Sequence, residues 1–559
     1  MVDPFKGNGG QAVVACLKAE RVEYVFGVPG GQNLAVMDAL YDGSGAPRFI
    51  TAHDERSAAC MADGYARASG RPGVCLVTTG PGMTNLLTGV GGAFRDSSPV
   101  VLLTANNRGR DLGRDDAQEA NHVDLLRSLT KWSLLVTDVD RIPEAMREAF
   151  RRALAGCPGP VHVDFTREIL EDATVEFGGV APANYRPSGR VRGDTERIQQ
   201  AACLLAEAKR PVLWSGNGVL LSEATDAVVR LAEVLEAPMV TTYNGIGGVP
   251  ADHRLAFGAK SRHGTEVTHA IVSEADALVV VGNSLNASST HRWGLPLTES
   301  VVQIDLDPTS IGRHYPFQVG IVGDARAVLM EVADALHADG SAATVLEQRR
   351  ERIAELTAAY QAWKQRIFKA EYRSAVPVKP QFCMEALREA LPRDAIVVGG
   401  AGNPGIWTHL VEIYEPRTYM KPVGFGNMGF ALGAAIGARL ASPQRCVACV
   451  IGDGSLGMCL TEIETAVREK APVVIFLMNN LSYGNIKQEQ LTYFGPRYIG
   501  VDFTDIRFAE VARGLGAEGE RVEKPDDLPA ALRRAVDSGK TYLLDVLIDP
   551  DENVWTQPF

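Results

Sequence analysis

The chain has 559 residues, of which 46% are hydrophobic and 22% are charged, a composition typical of a globular protein with about two to four domains. Its formal net charge of −12 argues against a nucleic-acid partner, because a phosphate backbone repels an acidic protein. No apolar run is long enough to span a membrane, and the N-terminal "MVDPFKGNGG" lacks the apolar core of a signal peptide. We therefore expect a cytoplasmic protein without a membrane partner.

The nine cysteines are scattered along the chain, and several of them lie within apolar, strand-like runs. Cys446 and Cys449 have the C-x-x-C spacing, but this pair lies inside a strand-like run and not at the start of a helix. The pattern therefore predicts buried, reduced thiols, and it argues against a redox motif or a zinc site.

Short apolar runs alternate with helix-length segments throughout the chain, which predicts an α/β fold of three doubly wound domains, each built on a parallel sheet. Two linker-like stretches divide the chain. Residues 177–194 are rich in Gly, Pro and Arg, and a second stretch begins near residue 337, continues into a charged helix and ends near residue 381. The predicted domains span residues 1–180, 190–340 and 375–559.

The first domain supplies polar residues where predicted strands end. Residues 48–70, "RFITAHDERSAACMADGYARASG", predict a strand followed by an Ala-rich helix, with Glu55 at the junction. Residues 73–94 predict a strand, a glycine-rich turn ("TTGPG") and a helix, and residues 99–107 predict a third strand. Ligands of open α/β sheets bind beyond the carboxyl ends of such strands. Taken alone, Glu55 can also be a carboxylate that the helix dipole favours.

The third domain contains "IGDGSLG", in which Asp453 directly follows the predicted buried strand "VACVI". Gly454, Ser455 and Leu456 then open a predicted helix, "MCLTEIETAVREKA", whose first amides are free to bind an anion. The next strand ends at Asn480, twenty-seven residues after Asp453. Since neighbouring parallel strands lie about 5 Å apart, both side chains can converge on one point.

A carboxylate, an amide oxygen and a nearby backbone carbonyl are hard oxygen donors that suit Mg²⁺ or Ca²⁺. The turn therefore predicts a cation that, together with the helix N-terminus, holds a diphosphate. GDG alone also fits an ordinary strand-to-helix turn. GDG followed at this spacing by "NN" resembles the fingerprint of the thiamine diphosphate (ThDP)-dependent enzyme superfamily.

The resemblance covers essentially the whole chain, and it implies an N-terminal pyrimidine-binding domain, a central nucleotide-binding-like domain and a C-terminal diphosphate-binding domain. It implies that Asp453 and Asn480 bind Mg²⁺ through their side chains and Ser482 through its carbonyl. Gly454 and Ser455 would contact the diphosphate.

The resemblance also implies a glutamate that hydrogen-bonds the aminopyrimidine ring and promotes removal of the ThDP C2 proton. Aligning the "MADGYARASG" tail with the acetolactate synthase pattern "RHEQGAAHMADGYARASG" places Glu55 at that glutamate. Met428, in "GFGNMG", would hold ThDP in its bent conformation, although a plain core role fits it equally. The resemblance implies further cofactor contacts at Pro29, Gly30, Gly31, Pro81, Asn85, Asn403, Gly426, Gly452, Gly484, Asn485 and Ile486.

In this superfamily the glutamate of one subunit serves the ThDP bound by its partner. The resemblance therefore implies a homodimer or homotetramer with active sites at subunit interfaces. The C-terminal "DENVWTQPF" ends with Trp555 and Phe559, which fit a lid over the active site or simple packing equally well.

Overall the chain most resembles acetolactate synthase. The region from "DAQE" to "LTKWS" matches an active-site region of that family, which makes Gln118 and Lys131 active-site candidates. The alternative is that both are ordinary surface residues. Three positions depart from that family. Ala117 replaces a phenylalanine, Ser288 replaces an arginine that grips the acceptor's carboxylate, and Glu489 replaces the tryptophan that selects the second 2-oxo acid. Loss of the arginine also argues against FAD.

Other branches share features with this chain. "GFGNMG" resembles sulfoacetaldehyde acetyltransferase, and "SLNASSTHRWGLP" resembles 2-hydroxyacyl-CoA lyase and oxalyl-CoA decarboxylase, where Tyr483 matches an active-site tyrosine. In that second branch the central domain binds ADP or the CoA nucleotide. His291, Arg292 and Trp293 could then contact the nucleotide, although a surface loop explains them as well.

We therefore predict a ThDP- and Mg²⁺-dependent lyase or carboligase, similar to acetolactate synthase, with Glu55, Gln118, Tyr483 and Glu489 as its catalytic residues. It would make or break a carbon–carbon bond next to a carbonyl through the ThDP ylide. The substrates would be a 2-oxo acid, an aldehyde or ketone, or an acyl-CoA. The alternatives are the two other branches and, in a different class, a catalytically silent paralogue.

Overall fold

A computed structural model of the chain describes residues 2–42, 45–339 and 345–554. Within these residues, twenty strands form three six-stranded parallel sheets and one two-stranded antiparallel sheet. The strands are β1 Val2–Asn8, β2 Tyr24–Gly27, β3 Arg48–Thr51, β4 Gly73–Val77, β5 Val100–Asn106, β6 Ser133–Val136, β7 Val161–Thr166, β8 Thr174–Gly179, β9 Pro211–Ser215, β10 Met239–Thr241, β11 Ala256–Ala259, β12 Ala277–Val281, β13 Val301–Asp305, β14 Val319–Val322, β15 Ile396–Gly399, β16 Tyr419–Met420, β17 Val447–Gly452, β18 Val474–Asn479, β19 Glu518–Val522 and β20 Tyr542–Leu547.

Helices connect most of these strands and pack on the sheets. They are α1 Gly9–Ala19, α2 Leu34–Asp42, α3 Glu55–Ser69, α4 Pro81–Arg95, α5 His122–Leu126, α6 Ile142–Leu154, α7 Arg167–Glu171, α8 Thr195–Glu207, α9 Asn217–Leu221, α10 Thr225–Leu235, α11 Glu266–Ser273, α12 Ala325–Asp339, α13 Leu346–Ile367, α14 Pro380–Ala390, α15 Asn403–Trp407, α16 Phe430–Ala441, α17 Asp453–Leu456, α18 Glu462–Arg468, α19 Gly484–Phe494, α20 Phe508–Gly514 and α21 Leu528–Asp537. The predicted α/β class with three parallel-sheet domains is confirmed.

The strand orders are β3-β2-β4-β5-β7-β6 in the first sheet, β11-β10-β9-β12-β13-β14 in the second and β16-β15-β17-β18-β20-β19 in the third. The first reversal of each order lies between β2 and β4, between β9 and β12, and between β15 and β17, and the first and third sheets reverse again at their last two strands. Open α/β sheets bind ligands beside such reversals. The central strands are continuous buried runs of Val, Ile and Leu, because helices cover both faces of each sheet.

The charged segment before the third domain forms the predicted helix, α13. Arg349 on this helix is fully buried, and its guanidinium donates to the carbonyls of Leu205, Ala206, Ala208 and Leu235 at the ends of α8 and α10. Helix C-termini carry unpaired carbonyls and partial negative charge, so Arg349 attaches α13 to the central domain.

Two local predictions differ from the structure. The predicted linker 177–194 begins inside β8, which pairs antiparallel with β1. The helix predicted from residue 458 to 471 is divided, because only α17 and α18 are helical and the intervening turns leave the Met458 carbonyl to accept from Arg56 of the first domain. That contact joins two domains, so the local sequence pattern does not contain it.

All nine cysteines are free thiols, as predicted. Cys449 is buried in β17, where burial raises the pKa of its thiol, and Cys446 is half-buried just before that strand. Cys157 and Cys203 are exposed, contrary to the prediction of buried thiols.

A search of the described helices for one long and apolar enough to cross a membrane finds none. Trp555 and Phe559, which the sequence analysis relates to a lid, lie outside the described residues.

Candidate active site

Asp453 and Ser482 meet at the carboxyl edge of the third sheet. Asp453 directly follows β17, and its Oδ1 accepts from the Gly454 amide at 2.8 Å, while its Oδ2 accepts from the Ser482 amide at 3.0 Å. Ser482 follows the neighbouring strand β18. The carboxyl group is buried, and this burial raises the pKa of Asp453 to about 6. A buried carboxylate without a basic partner favours a bound cation.

Asn480 lies in the turn between β18 and α19. A Cβ at Gly484 would lie 2.3 Å from Asn480 Nδ2, so a side chain at position 484 would displace the Asn480 amide. Leu481, the next residue, has a left-handed φ of 56°, which turns the chain toward Ser482. The structure therefore gathers Asp453, Asn480 and Ser482 at one sheet edge, as the sequence predicts.

Several buried polar atoms around this edge have no hydrogen-bond partner among the described residues: Ser482 Oγ, Asn403 Oδ1 and Asn485 Oδ1. A cavity of about 250 Å³ lies alongside, lined in part by Asp453, Gly454, Tyr483 and Phe503. Buried polar atoms in proteins are normally hydrogen-bonded, so three unsatisfied ones near one sheet edge indicate a ligand site.

The donor set at this edge fits Mg²⁺ and a diphosphate. Asp453 offers a carboxylate, Asn480 an amide oxygen, and the 480–482 turn its backbone carbonyls, all of which are hard oxygen ligands. In the described part of the chain, no group of three or more His, Cys, Asp and Glu side chains could hold a metal. A cation at Asp453 would therefore depend on one carboxylate, neutral oxygens and oxygens of its ligand.

Ser455 connects this edge to the loop that carries Met428. The Ser455 hydroxyl accepts from the Gly429 amide at 2.9 Å, which fixes the loop one residue beyond Met428. Met428 is half-buried, whereas Gly426 is exposed and has a left-handed φ of 70°. These contacts place the predicted diphosphate residues and the predicted cofactor-supporting methionine next to each other.

Asn403 begins α15, after the strand on the other side of the order reversal. Its Nδ2 donates to Gln488 Oε1 on α19 at 3.0 Å. Gly452 packs against Pro404, where a Cβ would lie 3.1 Å from the ring. Asn485 approaches Gly402, and Ile486 is exposed, so the start of α19 faces the same edge.

Glu55 is the first residue of α3, at the carboxyl edge of the first sheet. Asp54 caps the helix by accepting from the amides of Arg56 and Ser57. Glu55 Oε2 accepts from Asn85 Nδ2 at 3.0 Å, and the other oxygen faces Gly82, where a Cβ would lie 3.2 Å from it. The glycine-rich turn before α4 thus lies directly against Glu55.

Pro29, Gly30 and Gly31 follow β2, on the opposite side of the order reversal from β4. A Cβ at Gly30 would lie 2.4 Å from Thr78, the first residue after β4. Thr78 also donates to Gln32 Oε1 at 2.7 Å. The two predicted cofactor turns of the first domain are therefore packed together, with Pro81 exposed at the start of α4.

Gln118 approaches the same turn, whereas Lys131 does not contact it. Gln118 has a left-handed φ of 62°, and a Cβ at Gly80 would lie 2.1 Å from its carbonyl. Lys131 donates to the carbonyls of Arg152, Ala155 and Cys157 at 2.6, 2.6 and 2.7 Å. All three N–H bonds of Lys131 are used to cap the end of α6, which favours a structural role over the active-site role for which the sequence makes it a candidate.

Tyr483 and Glu489 differ in their surroundings. The Tyr483 ring lies against Gly454 and packs edge-on against Phe503, with the ring centroids 4.6 Å apart. Glu489 is half-buried on α19, and its carboxylate has no hydrogen bond or ion pair with the described residues. Ala117 is exposed and Ser288 half-buried, the latter in a central-domain loop.

Gln488 and residues 501–503 also contribute to the carboxyl edge of the third sheet, and the sequence does not predict either of them. Gln488 is buried, and besides Asn403 it contacts the carbonyl of Glu552 at 2.8 Å and the amide of Val554 at 3.3 Å. Residues 501–503 run antiparallel to residues 481–483, since Tyr483 donates to Val501 and Phe503 donates to Leu481, both at 2.8 Å. The position of Gln488 on the buried face of α19 is a weak sequence signal, and the 501–503 pairing has none.

These edges are typical of an α/β enzyme in which one domain presents a buried carboxyl group beside a cavity and another presents a carboxylate on a strand-to-helix turn. The chain matches three family models, described as the N-terminal TPP binding domain of thiamine pyrophosphate enzymes over residues 7–125, their central domain over residues 198–332 and their C-terminal TPP binding domain over residues 400–546.

Curated relatives cover nearly the whole chain. It is 35% identical to the probable acetolactate synthase large subunit of Methanocaldococcus jannaschii (98% of this chain, 92% of the relative). It is 34% identical to the acetolactate synthase isozyme 2 large subunit of Escherichia coli (98% and 97%) and 32% identical to the acetolactate synthase large subunit of Haemophilus influenzae (98% and 96%). The chain belongs to the thiamine pyrophosphate enzyme family, in its acetolactate synthase-like group, and is a ThDP-dependent carboligase.

Proposed function

We propose that the enzyme requires Mg²⁺, acts on a 2-oxo acid or 2-hydroxyacyl donor, and uses an acceptor different from that of acetolactate synthase. The meeting of Asp453, Asn480 and Ser482 beside unsatisfied buried polar atoms carries the Mg²⁺ part of this proposal. Bound ThDP would supply a carbanion that attacks a carbonyl and an electron sink next to the bond that forms or breaks.

The residues of the third domain would bind and orient the cofactor. Asp453, Asn480 and the Ser482 carbonyl would hold Mg²⁺, and the backbone of Gly454 and Ser455 would contact the diphosphate. Because Ser455 also accepts from Gly429, the position of the diphosphate would be coupled to that of Met428. Residues Asn403 and Asn485 have unsatisfied amide oxygens that could accept from the cofactor.

Glu55 would hold a proton at the aminopyrimidine ring, and Asn85 would orient its carboxylate through the 3.0 Å hydrogen bond. We expect Glu55→Gln to lower kcat by about 10²- to 10⁴-fold while ThDP still binds, because general acid–base groups contribute rate enhancements of about this size. Glu196→Gln is the matched control, since Glu196 also lies in a helix first turn but is exposed. Unchanged activity of Glu55→Gln would contradict the mechanism.

We also propose a homodimer or homotetramer in which Glu55 serves the cofactor of a partner subunit. Large apolar side chains are exposed along α19 and the segment after it, including Ile486, Leu491, Tyr493, Phe494 and Ile499. A contiguous exposed apolar surface of this kind favours a covering partner. Light scattering of the active enzyme should give a mass of two or four chains, and full activity at the mass of one chain would contradict the proposal.

Glu489 supports an acceptor other than a second 2-oxo acid. Its half-buried carboxylate has no cation partner among the described residues, so it would repel a carboxylate group placed next to it. A donor and acceptor panel tests this idea with pyruvate, oxalyl-CoA, a 2-hydroxyacyl-CoA, formyl-CoA plus a ketone, and sulfoacetaldehyde plus phosphate. Efficient acetolactate formation from pyruvate alone would refute it.

We further infer that FAD is absent, and flavin absorbance of the purified protein would contradict this inference.

A second candidate function, that of an acyl-CoA lyase or decarboxylase, is favoured by basic residues in the central domain. Lys260 is fully buried, and its Nζ lies 3.0 Å from His291 Nε2, while the His269 ring packs edge-on against His291. Within the described ranges, none of these three side chains contacts a carboxylate. Burial lowers the pKa of Lys260 to about 8. Such a cluster would suit a phosphate group of CoA or ADP. Calorimetric titration with CoA and with ADP distinguishes the two candidate functions, because the first candidate function requires neither nucleotide.

A further inference from the structure

A buried hydrogen-bond network lies beneath the carboxyl edge of the first sheet. We name it the His122 network, after the first residue of α5, and define it by five buried side chains from β5, β7, α5 and the turn after β4: Thr79, Thr104, Asn106, His122 and Asp164. Neither the family motifs nor the proposed function assigns these residues a role.

The hydrogen bonds determine the tautomer of His122. Its Nε2 lies 3.1 Å from the Gly80 amide nitrogen, and a backbone N–H can only donate, so Nε2 must be the acceptor. The ring proton is then on Nδ1, which donates to Asp164 Oδ1 at 3.0 Å. His122 therefore links the Asp164 carboxylate to the backbone of Gly80 in a defined direction.

Asp164 is fully satisfied as a charged acceptor. Besides His122, it accepts from Thr104 Oγ1 at 2.5 Å and from Asn106 Nδ2 at 2.7 Å. Thr104 in turn accepts from His162 Nε2 at 2.7 Å, since its own proton goes to Asp164, and burial lowers the pKa of His162 to about 4. A buried network in which each donor and acceptor is paired is rigid and has one favoured arrangement.

The network holds two active-site loops together. Gly80 has φ 54° and ψ −105°, and it packs against the Gln118 carbonyl so closely that no side chain fits there. Asn106 Oδ1 accepts from the amide of Asn107, whose own side chain donates to the Ala117 carbonyl at 2.9 Å. The turn that faces Glu55 and the loop that carries Gln118 therefore meet directly above the imidazole.

We propose that His122, held by Asp164 with its proton on Nδ1, is a positioning residue of the active site. His122 accepts a hydrogen bond from the Gly80 amide and thereby fixes the turn that places Gly82 and Asn85 against Glu55. Because Gly80 packs against the Gln118 carbonyl, the same bond also fixes the loop that carries Gln118. This proposal rests on the proposed roles of Glu55 and Gln118. Catalytic groups must be held within a fraction of an ångström, because small misplacements cost large factors in rate.

Two conservative variants separate the two hydrogen bonds of His122. In His122→Asn the amide takes the place of Nδ1 and can donate to Asp164, but no atom reaches Gly80. In His122→Gln the longer side chain places an oxygen near the former Nε2, where it can accept from Gly80, while the Asp164 bond is lost. Thr130→Val is the control, since Thr130 is buried just beyond α5 and, among the described residues, its hydroxyl bonds only the Leu126 carbonyl.

We expect His122→Asn to lower kcat by about 10- to 100-fold. The KM of the donor should stay within about twofold, and hydrogen–deuterium exchange of the peptide that contains Gly80 should become faster. His122→Gln should keep the protection of Gly80 and stay within about fivefold of the wild-type kcat. Equal effects of the two variants, or a loss in Thr130→Val as large as in His122→Asn, would overturn the proposal.

The exchange measurement requires no activity, so it tests the positioning role even if the proposed chemistry is wrong. Wild-type protein without ThDP-dependent turnover would refute the proposed function. Unchanged Gly80 exchange in His122→Asn would refute the role of His122, whatever the reaction is.

Discussion

The second and third sheets carry almost the same turn beside the reversal of their strand order, although the two turns follow strands on opposite sides of it. "GNG" at residues 216–218 follows β9, and "GDG" at residues 452–454 follows β17, each beside the reversal of strand order. Asn217 donates to the Asp96 carbonyl at 3.0 Å, so its turn attaches the central domain to the first domain. Asp453 accepts two backbone amides and faces a cavity. One side chain thus separates a structural turn from the proposed cation site.

The charges around the two edges are also opposite. The third sheet presents the buried carboxyl of Asp453 among unsatisfied amide and hydroxyl oxygens. The central sheet presents the buried ammonium of Lys260 beside His291 and His269. The doubly wound fold thus provides the place for a ligand, while the side chains at the strand ends decide which charge is bound.

Removing the negative charge of Asp453 should have the greatest effect, because this charge distinguishes the edge of the third sheet from that of the second. We expect Asp453→Asn to lower Mg²⁺-supported ThDP affinity and carboligase activity by at least about 100-fold, because Asp453 would supply the carboxylate ligand of the proposed site. Asp526→Asn is the matched control, since Asp526 is exposed in the same domain. Calorimetry and initial rates measure both effects, and an Asp453→Asn variant with wild-type affinity would remove the basis of the comparison.

The pH dependence of cation binding should follow Asp453. Only the ionised carboxylate binds a cation, and the folded protein holds this group at a pKa of about 6. Mn²⁺ affinity of the cofactor-free protein, measured by electron paramagnetic resonance, should be constant above pH ~6 and fall about tenfold per pH unit below it. Because the pKa is raised by folding, the same group stabilises the cofactor-free fold at low pH and loses this contribution as the pH rises through 6. An affinity that is flat down to pH ~4 would contradict the assignment.

The converse substitution in the central domain tests whether the sequence of the turn alone is enough to make a cation site. Asn217→Asp creates a "GDG" turn there, but it removes the donor to Asp96 and adds a negative charge. We expect a loss of about 1–2 kcal/mol in the free energy of unfolding, from denaturant titration, and no new Mg²⁺ site. Asn217→Ser serves as the uncharged control, and a tight second Mg²⁺ equivalent in Asn217→Asp would show that the turn alone makes the site.

The smallest expected effect concerns Lys260. Lys260→Met removes a buried ammonium that has no counter-charge among the described residues, so it should raise the free energy of unfolding by about 1 kcal/mol at pH 7. The gain should shrink above pH ~8, because folding lowers the pKa of Lys260 and the wild-type ammonium then becomes neutral. Lys524→Met, at an exposed lysine, is the control. A destabilised Lys260→Met variant would show that the ammonium has a counter-charge.

Much of this arrangement follows from sequence, because parallel strands bring their carboxyl ends to one edge. Asp453 and Asn480 are far apart in the chain, yet strand order alone predicts that they meet. The surroundings of Lys131 do not follow from the sequence, for the opposite reason. Its partners are carbonyls at the end of α6, more than twenty residues away, and no motif encodes that packing. The divided helix after Asp453 and the His122 network likewise depend on contacts between elements that only the folded chain brings together.

The most direct test of the account is calorimetric titration of ThDP into the cofactor-free wild-type protein, with Mg²⁺ and again with EDTA. The account predicts one ThDP per chain with Mg²⁺ and at least about 100-fold weaker binding with EDTA, because the cation at Asp453 neutralises the diphosphate next to a carboxylate. Equal affinity in the two titrations, or no ThDP binding in either, would contradict the assignment of this sheet edge.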